Sequence, residues 1–196
     1  MQIKYLRSIV FIVLSSLLLP ISARSTECHD ASLAKKYAHM HSTDQALRGQ
    51  YIDILEKEHA KVSIDQAEKD RLEVSISETD EKNQIELDRL IKSCGWPKKL
   101  DGKRAAFSAF LIIQHAPLPY QLKYFPMIKA ANSRGEISNE HLAWLIDRIL
   151  VRQGKLQKYG TESEYGSNKI YPIEDSKNLN KRRKKMRLPP LKEFPL

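Results

Sequence analysis

The sequence lacks every short motif that commonly marks an enzyme class. It contains no HExxH zinc motif, no Walker-type phosphate loop, no GxSxG nucleophile elbow, no GxGxxG dinucleotide loop and no CxxC pair. Each of these motifs fixes ligands or backbone amides at a set spacing, so their absence removes the familiar enzymes built on them. Internal repeats are absent as well. Any chemistry must therefore come from residues that the fold brings together.

The histidines do not form a metal-binding pattern. The sequence has six of them, and His39 and His41 are separated by one residue. That spacing suits a strand better than one face of a helix, whereas the surrounding pattern is helical. We therefore expect both side chains to be solvated and predict no metal site. The residues do not identify a cofactor.

Cysteine is scarce, and Cys28 and Cys94 are the only pair. Residues 1–25 have the pattern of a secretory signal peptide, with basic residues near the start and then an uncharged apolar run. Because that run is shorter than the roughly 20 apolar residues of a membrane span, an uncleaved anchor is the weaker alternative. We expect an exported protein, periplasmic or extracellular. Export permits a disulfide, but an unpaired Cys94 buried as a small apolar residue fits equally well.

Positive charge is concentrated near the C-terminus. The chain carries 33 basic and 24 acidic residues, and residues 176–196 alone hold eight basic residues and one acidic residue. The run at 181–185 favours contact with an anionic surface such as envelope phospholipid, or else it is a solvated helix face. Few aromatic residues flank it, which argues against a nucleic-acid partner.

The hydropathy pattern predicts one helical domain over residues 26–196. We expect helices over residues 30–94, a motif-bearing core over residues 95–161, and a loop and basic tail over residues 162–196. Residues 61–80 fit either a helix or a loop. The predicted fold class is all-α: a single helical-bundle-like domain with a long irregular C-terminal loop and a short basic C-terminal helix.

The most apolar internal stretch is predicted to be a helix buried on all sides. It spans residues 103–116, and eight of the nine residues from Ala105 to Ile113 are apolar. At helical spacing those residues point in every direction, so neighbouring helices must surround them. The stretch ends on Gln114 and His115. Polar side chains at the end of a buried helix need partners or line a cavity, so we expect the functional site here.

Two acidic residues fall on apolar helix faces. Asp44 interrupts an apolar row, and Arg48, one turn later, is its expected partner. Asp147 lies between apolar neighbours on a later helix. The expected solvent-facing row of that helix consists of His141, Arg148 and Arg152.

Several short segments follow one another in a distinctive order along the chain. They are Asp44-Gln45-Arg48, Gly95-Trp96-Pro97, Gln114-His115-Ala116, Gln121, Asp147-Arg148, Gln157-Tyr159-Gly160-Thr161 and Arg182-Arg183. In this order they resemble the DQxxR, GWP, QHA, DR and QxYGT signature of a bacterial family of domains of unknown function. The chain departs from it at Glu162, where the family usually has Gln, and at Arg187, where it usually has Gly. The resemblance implies a site but no reaction, since the family has no assigned chemistry.

The candidate catalytic residues are His115 and Asp147. In one hypothesis His115 is a general acid or base, Asp147 orients its imidazole, and Tyr159 or an amide holds a small molecule. In the other, Asp147 and His115 satisfy loop amides and pin the Tyr-Gly-Thr loop to the bundle. The candidate binding residues are Asp44, Gln45, Arg48, Gln114, Gln121, Arg148, Gln157, Tyr159, Thr161, Arg182 and Arg183.

Two classes of function fit these residues. The first is an exported helical protein with a polar pocket around His115, Asp147 and Tyr159 that binds or acts on a small molecule. The alternative is a non-catalytic envelope binding or structural module that contacts anionic surfaces through its basic tail. The partner is accordingly a small molecule or an envelope component, and whether the protein is an enzyme stays open.

We predict that the mature protein begins between Ala23 and Thr26, because small residues there suit signal-peptide cleavage. N-terminal sequencing of protein recovered from the culture medium or the periplasm checks this start. A chain that keeps Met1 and sediments with the membrane fraction would contradict it.

Overall fold

The computed structural model describes Cys28 and residues 31–98, 101–102, 104–164 and 169–191. The predicted signal peptide lies outside these residues. Within them the chain forms helices and no strand, so the predicted all-α class is confirmed. The α-helices are α1 (Ala31–His59), α2 (Gln66–Cys94), α3 (Ala105–His115), α4 (Leu118–Ser133), α5 (Asn139–Arg152) and α6 (Leu179–Lys185). None of the described helices is both long enough and apolar enough to cross a bilayer.

The two longest helices, α1 and α2, pack against each other. The uncertain segment 61–80 contains the start of α2, where Asp65 caps the helix by accepting hydrogen bonds from the N–H groups of Ala67 and Glu68. At the other end, Gly95 takes a positive φ of 75° and its N–H bonds to the Ile91 carbonyl oxygen. Gly95 therefore ends α2, since glycine adopts this positive φ without strain.

Helix α3 is the centre of the fold and contacts α1, α2, α4 and α5. Phe110 and Ile113 have no exposed surface, and most other residues of the helix are buried too. This confirms the prediction that the apolar stretch is surrounded. Because its neighbours cover it on all sides, α3 fixes the position of everything attached to its C-terminal end, including His115.

Ser138 caps the start of helix α5, since its Oγ accepts a hydrogen bond from the His141 N–H at 3.1 Å. The expected solvent-facing row on this helix is confirmed for Arg152, which is exposed, and wrong for His141 and Arg148, which are half-buried. The His141 ring stacks on Phe107 and Phe110, with ring centroids 4.7 and 4.9 Å apart, and burial lowers its pKa. The aromatic side chains of α3 offer a ring-stacking surface that a helical wheel of α5 alone does not reveal.

Cys28 and Cys94 form a disulfide, with their Cα atoms 5.3 Å apart. The bond joins the start of the described chain to the last residue of α2. A cross-link over 66 positions restricts the unfolded chain strongly, and a loop of that size is worth about 4 kcal/mol in the chain-entropy account. The sequence allowed either a disulfide or an unpaired, buried Cys94, and the structure has the disulfide.

The segment after α5 is irregular but well anchored. Isolated bridges pair Gln157 with Ile173 and Ser163 with Ile170. The short basic C-terminal helix that the sequence predicts is α6, which is preceded by a 3-10 turn at Ser176–Asn178. Leu179, at its start, is completely buried. The described part of the tail, which reaches Leu191, is thus packed on the domain.

Candidate functional site

A buried carboxylate lies where α1 meets the end of α3. Asp44 is only 2% exposed. Its Oδ1 lies 3.1 Å from Arg48 Nε and 2.8 Å from His115 Nδ1, and its Oδ2 accepts a hydrogen bond from Gln45 Nε2 at 2.6 Å. The expected pairing of Asp44 with Arg48 is confirmed. His115, at the C-terminal end of α3, is a second partner that the sequence did not assign to this acid.

Arg48 links the carboxylate to α2. Its Nη2 donates to both oxygens of Asp80, at 2.6 and 2.7 Å. The guanidinium therefore lies between two carboxylates, which gives it charge-assisted bonds to two helices at once. Asp80 was missed from the sequence, because it falls in the segment whose helical character was left open.

Three atoms meet at the centre of this cluster: Asp44 Oδ1, Arg48 Nε and His115 Nδ1. The nitrogen atoms lie 2.8 Å apart, and each is within 3.1 Å of the oxygen. Arg48 Nε always carries its proton. An unprotonated Nδ1 accepts the hydrogen bond that Arg48 Nε donates across the 2.8 Å contact, whereas a protonated Nδ1 donates to Asp44 Oδ1. We propose the second arrangement, in which the ionised carboxylate is the acceptor and Nε2 carries no proton.

The two carboxylates of the cluster have opposite pKa shifts. Burial alone would raise the pKa of Asp44, but the hydrogen bond and charge of His115, with Arg48 and Gln45, outweigh it and lower the pKa. Burial raises the pKa of Asp80 despite its pairing with Arg48. Because the pKa of Asp44 is depressed in the folded state, the stability it contributes is complete above its ordinary pKa of about 4 and is lost as the pH falls through the folded value.

His115 faces an open cleft of about 360 Å³. The lining residues are Ser77, Asp80, Glu81, Gln84, His115, Pro117 and Arg152. The His115 side chain keeps 18% of its surface exposed. Its imidazole is thus held by the buried Asp44 and also contributes to the lining of the cleft, an arrangement suited to proton transfer.

The α2 wall of this cleft could have been found from the sequence. Ser77, Glu81 and Gln84 are spaced four and three residues apart, so they share one face once the segment is read as a helix. The sequence predicted Arg152 to be solvent-facing and did not predict a cleft beside it. In the structure Arg152 is exposed and lines the cleft, and its Nη1 donates a hydrogen bond to the Ala116 carbonyl oxygen.

The expected pairing of His115 with Asp147 is wrong. Asp147 is fully buried on α5 and binds the irregular loop instead. It accepts hydrogen bonds from the N–H groups of Lys158, Tyr159 and Thr161 and from the Thr161 hydroxyl, at 2.7 to 3.1 Å. The order of motifs along the chain suggested a neighbour that the fold does not provide. Asp147 has the loop-pinning contacts of the structural hypothesis, but His115 does not.

The other candidate residues of the loop hold the loop itself. Gln157 is buried, and its side chain donates to the carbonyl oxygens of Glu162 and Tyr171 and accepts from the Glu162 N–H. The Tyr159 N–H bonds to Asp147, and burial, with the Asp147 charge, raises the pKa of its phenol. Neither Tyr159 nor Thr161 lines the His115 cleft. The predicted pocket around His115, Asp147 and Tyr159 is therefore not assembled.

Both tail arginines among the candidates bind loop carbonyl oxygens. Arg183 is buried and donates to Tyr159 at 2.6 Å and to Pro189 at 2.7 Å. Arg182 donates to Lys158, Asp175 and Glu174. These contacts explain why the tail packs on the domain. The exposed basic residues of α6 are Lys181, Lys184 and Lys185.

Polar groups at the C-terminal end of α3 join it to α4 and α5. The Gln114 carbonyl oxygen accepts from Gln121 Nε2 at 2.8 Å and from Arg148 Nη1 at 3.1 Å. Arg148 also pairs with Glu162 at 3.0 Å, so it is not the solvent-facing residue expected. The side-chain oxygens of Gln114 and Gln121 are buried and accept no hydrogen bond within the described chain.

Comparison with known proteins places the chain in a family. A model for a family of unknown function, DUF6624, matches residues 31–195. The chain belongs to this family. Comparison with curated proteins and with solved structures gave no significant match. Membership in DUF6624 assigns no reaction, so the chemistry has to be argued from the site.

The described residues hold no group of three or more histidine, cysteine or acidic side chains placed to bind a metal ion. The His115 cluster itself has one imidazole, and its two carboxylates are both engaged by Arg48. The cluster therefore places a histidine, hydrogen-bonded to a carboxylate, beside a cleft whose lining residues are polar or charged except for Pro117.

We predict that Asp147→Asn lowers the free energy of unfolding by about 1 to 3 kcal/mol, because an amide nitrogen cannot accept the hydrogen bonds that the loop donates. Urea unfolding followed by circular dichroism measures the loss. Asp53→Asn, an equal charge change at an exposed position of α1, is the control and should stay within about 0.5 kcal/mol of wild type. If both variants unfold at the same urea concentration, Asp147 does not anchor the loop.

Proposed function

We propose that this exported protein catalyses acid–base chemistry on a small polar molecule, with His115 as the group that moves the proton. The observation that carries the proposal is the buried Asp44 carboxylate 2.8 Å from His115 Nδ1, with the rest of the imidazole open to the cleft. A carboxylate that fixes one ring nitrogen leaves the other to act as a base, as in general acid–base catalysis on many unrelated folds.

The chemical step needs only the imidazole and a bound substrate. His115 Nε2 accepts a proton from a water molecule or a substrate hydroxyl as the oxygen attacks an electrophilic carbon. The imidazolium formed carries its second proton on Nδ1 and is stabilised by the ionised Asp44. It then returns the Nε2 proton to the leaving group. Asp44 is a positioning residue in this scheme, since it acts through His115.

Arg48 supports the same arrangement. It shares its charge between Asp44 and Asp80, and thereby keeps two carboxylates close to His115 without requiring the imidazole to be charged. Its bonds join α1 to α2, the helix that forms one wall of the cleft. Rigid placement of a catalytic group is what a preorganised site requires.

Export is supported by two separate observations. The first 25 residues have the composition of a signal peptide. The only two cysteines of the chain are bridged, and disulfides persist in oxidising compartments. The periplasm or the extracellular medium is therefore the proposed location of the mature protein.

The alternative function is contact with an anionic envelope surface through the basic tail. Fewer basic side chains are free for such contacts than the sequence suggested. Arg182 and Arg183 are engaged with loop carbonyl oxygens. The exposed lysines of α6 remain for such contacts. Contact with an anionic surface is therefore the second candidate function.

We predict that the protein hydrolyses p-nitrophenyl acetate, an activated ester that an unprotonated imidazole can cleave. His115→Gln should lower the protein-dependent rate about 100-fold or more, the range over which a positioned acid–base group acts. Asp44→Asn should give a smaller loss, because the imidazole remains but Nδ1 loses its charged acceptor. Release of p-nitrophenolate is the readout.

His59→Gln is the control, because His59 is exposed at the end of α1 and far along that helix from Asp44. It reports hydrolysis by any surface imidazole and should match wild type. Circular dichroism of each variant establishes that its fold is intact. If folded His115→Gln hydrolyses the ester as fast as His59→Gln does, the proposed role of His115 is wrong.

A further inference from the structure

The His115 cleft presents charged groups that are not neutralised by the described part of the chain. Glu81, exposed on α2, makes no hydrogen bond or ion pair with the residues described, and Arg152 has one hydrogen bond there and no ion pair. Asp80, in contrast, is neutralised by Arg48. Of the charged side chains in the lining, one carboxylate and one guanidinium are therefore available to a ligand.

These two charges come from different walls. Glu81 belongs to α2 and Arg152 to the last turn of α5, and His115 and Pro117 lie at the junction of α3 with α4. Glu81 and Arg152 both fall within the described chain and form no ion pair with each other. A ligand in the cleft can thus meet an anionic group on one side, a cationic group on another, and the imidazole as well.

The surroundings of Arg152 favour an anionic partner. Partial burial lowers its pKa, and the neighbouring positive charge of Arg148 lowers it further. Glu162, whose charge acts on Arg152, already pairs with Arg148. Its one hydrogen bond, to the Ala116 carbonyl oxygen, leaves four N–H donors. An anion bound there would supply the missing counter-charge and bidentate acceptors.

We propose that the cleft binds a small zwitterion, with its carboxylate on Arg152 and its ammonium group on Glu81, so that the atoms between them lie beside His115. The uncharged Ser77 and Gln84 on the same α2 face add hydrogen-bonding groups. The volume of about 360 Å³ suits an amino acid or a short peptide, being near the lower limit of ligand pockets. This inference rests on the proposed function, because it assigns the ligand of the same cleft.

Isothermal titration calorimetry with three related probes tests the assignment. Glycylglycine carries both charges, N-acetylglycine only the carboxylate, and glycinamide only the ammonium group. Each charge-assisted contact is worth at least a tenfold change in affinity. We therefore expect wild-type protein to bind glycylglycine at least about tenfold more tightly than either singly charged probe.

Two variants separate the contributions of Glu81 and Arg152 to the affinity for glycylglycine. In Glu81→Gln, glycylglycine should lose its advantage over N-acetylglycine, and in Arg152→Gln it should lose its advantage over glycinamide. The matched controls are Glu78→Gln, one turn earlier on α2 and outside the lining, and Arg134→Gln, at the end of α4. Both controls should keep the wild-type preference.

The three-probe comparison on wild type decides the proposal even if a variant does not fold. Absence of saturable glycylglycine binding, or equal affinity for glycylglycine and N-acetylglycine, would overturn it. So would an equal loss of preference in Glu78→Gln and Glu81→Gln. The ester assay reports on His115 without these ligands. A His115-dependent esterase that does not bind glycylglycine would therefore refute the ligand class and leave the proposed function standing.

Discussion

The burial of the Asp44 carboxylate is the constraint on which the rest of the site depends. An ionised carboxyl group in a helical core is strongly unfavourable unless charges and donors surround it. Here they come from Arg48 and Gln45 on the same helix and from His115 on α3. The hydrogen bond between Asp44 and His115 joins α1 to the end of α3. The ion pair between Arg48 and Asp80 joins α1 to α2. The histidine is held in place as a consequence.

A second buried carboxylate, Asp147, also needs hydrogen-bond donors around it, and most of them are backbone N–H groups. It is met by the amides of the loop that follows α5, and that loop is in turn held by Gln157, Arg182 and Arg183. The two networks differ in role. Asp44 leaves an imidazole exposed to a cleft, whereas Asp147 is enclosed by the loop it holds. Proton chemistry fits the first network and a structural role fits the second.

Much of the fold was predictable because it follows from hydropathy. The stretch around Phe110 is apolar in every direction, and the structure surrounds it with helices. The Asp44–Arg48 pair was predictable because both residues lie on one helix. The partner of His115 was not, because contacts between helices depend on packing, which the order of motifs does not encode. Asp80 was missed for a local reason: its charged segment has a weak apolar pattern, although α2 runs through it.

The central claim is that Asp44 fixes the proton of neutral His115 on Nδ1 and leaves Nε2 to the cleft. Long-range ¹H–¹⁵N correlation spectra of protein labelled at histidine resolve the two ring nitrogens and report which one is protonated. At a pH where His115 is neutral, the account predicts a protonated Nδ1 and an unprotonated Nε2. A proton on Nε2, with Nδ1 accepting from Arg48, would contradict the account, because the ring nitrogen that Asp44 does not contact could then no longer act as a base.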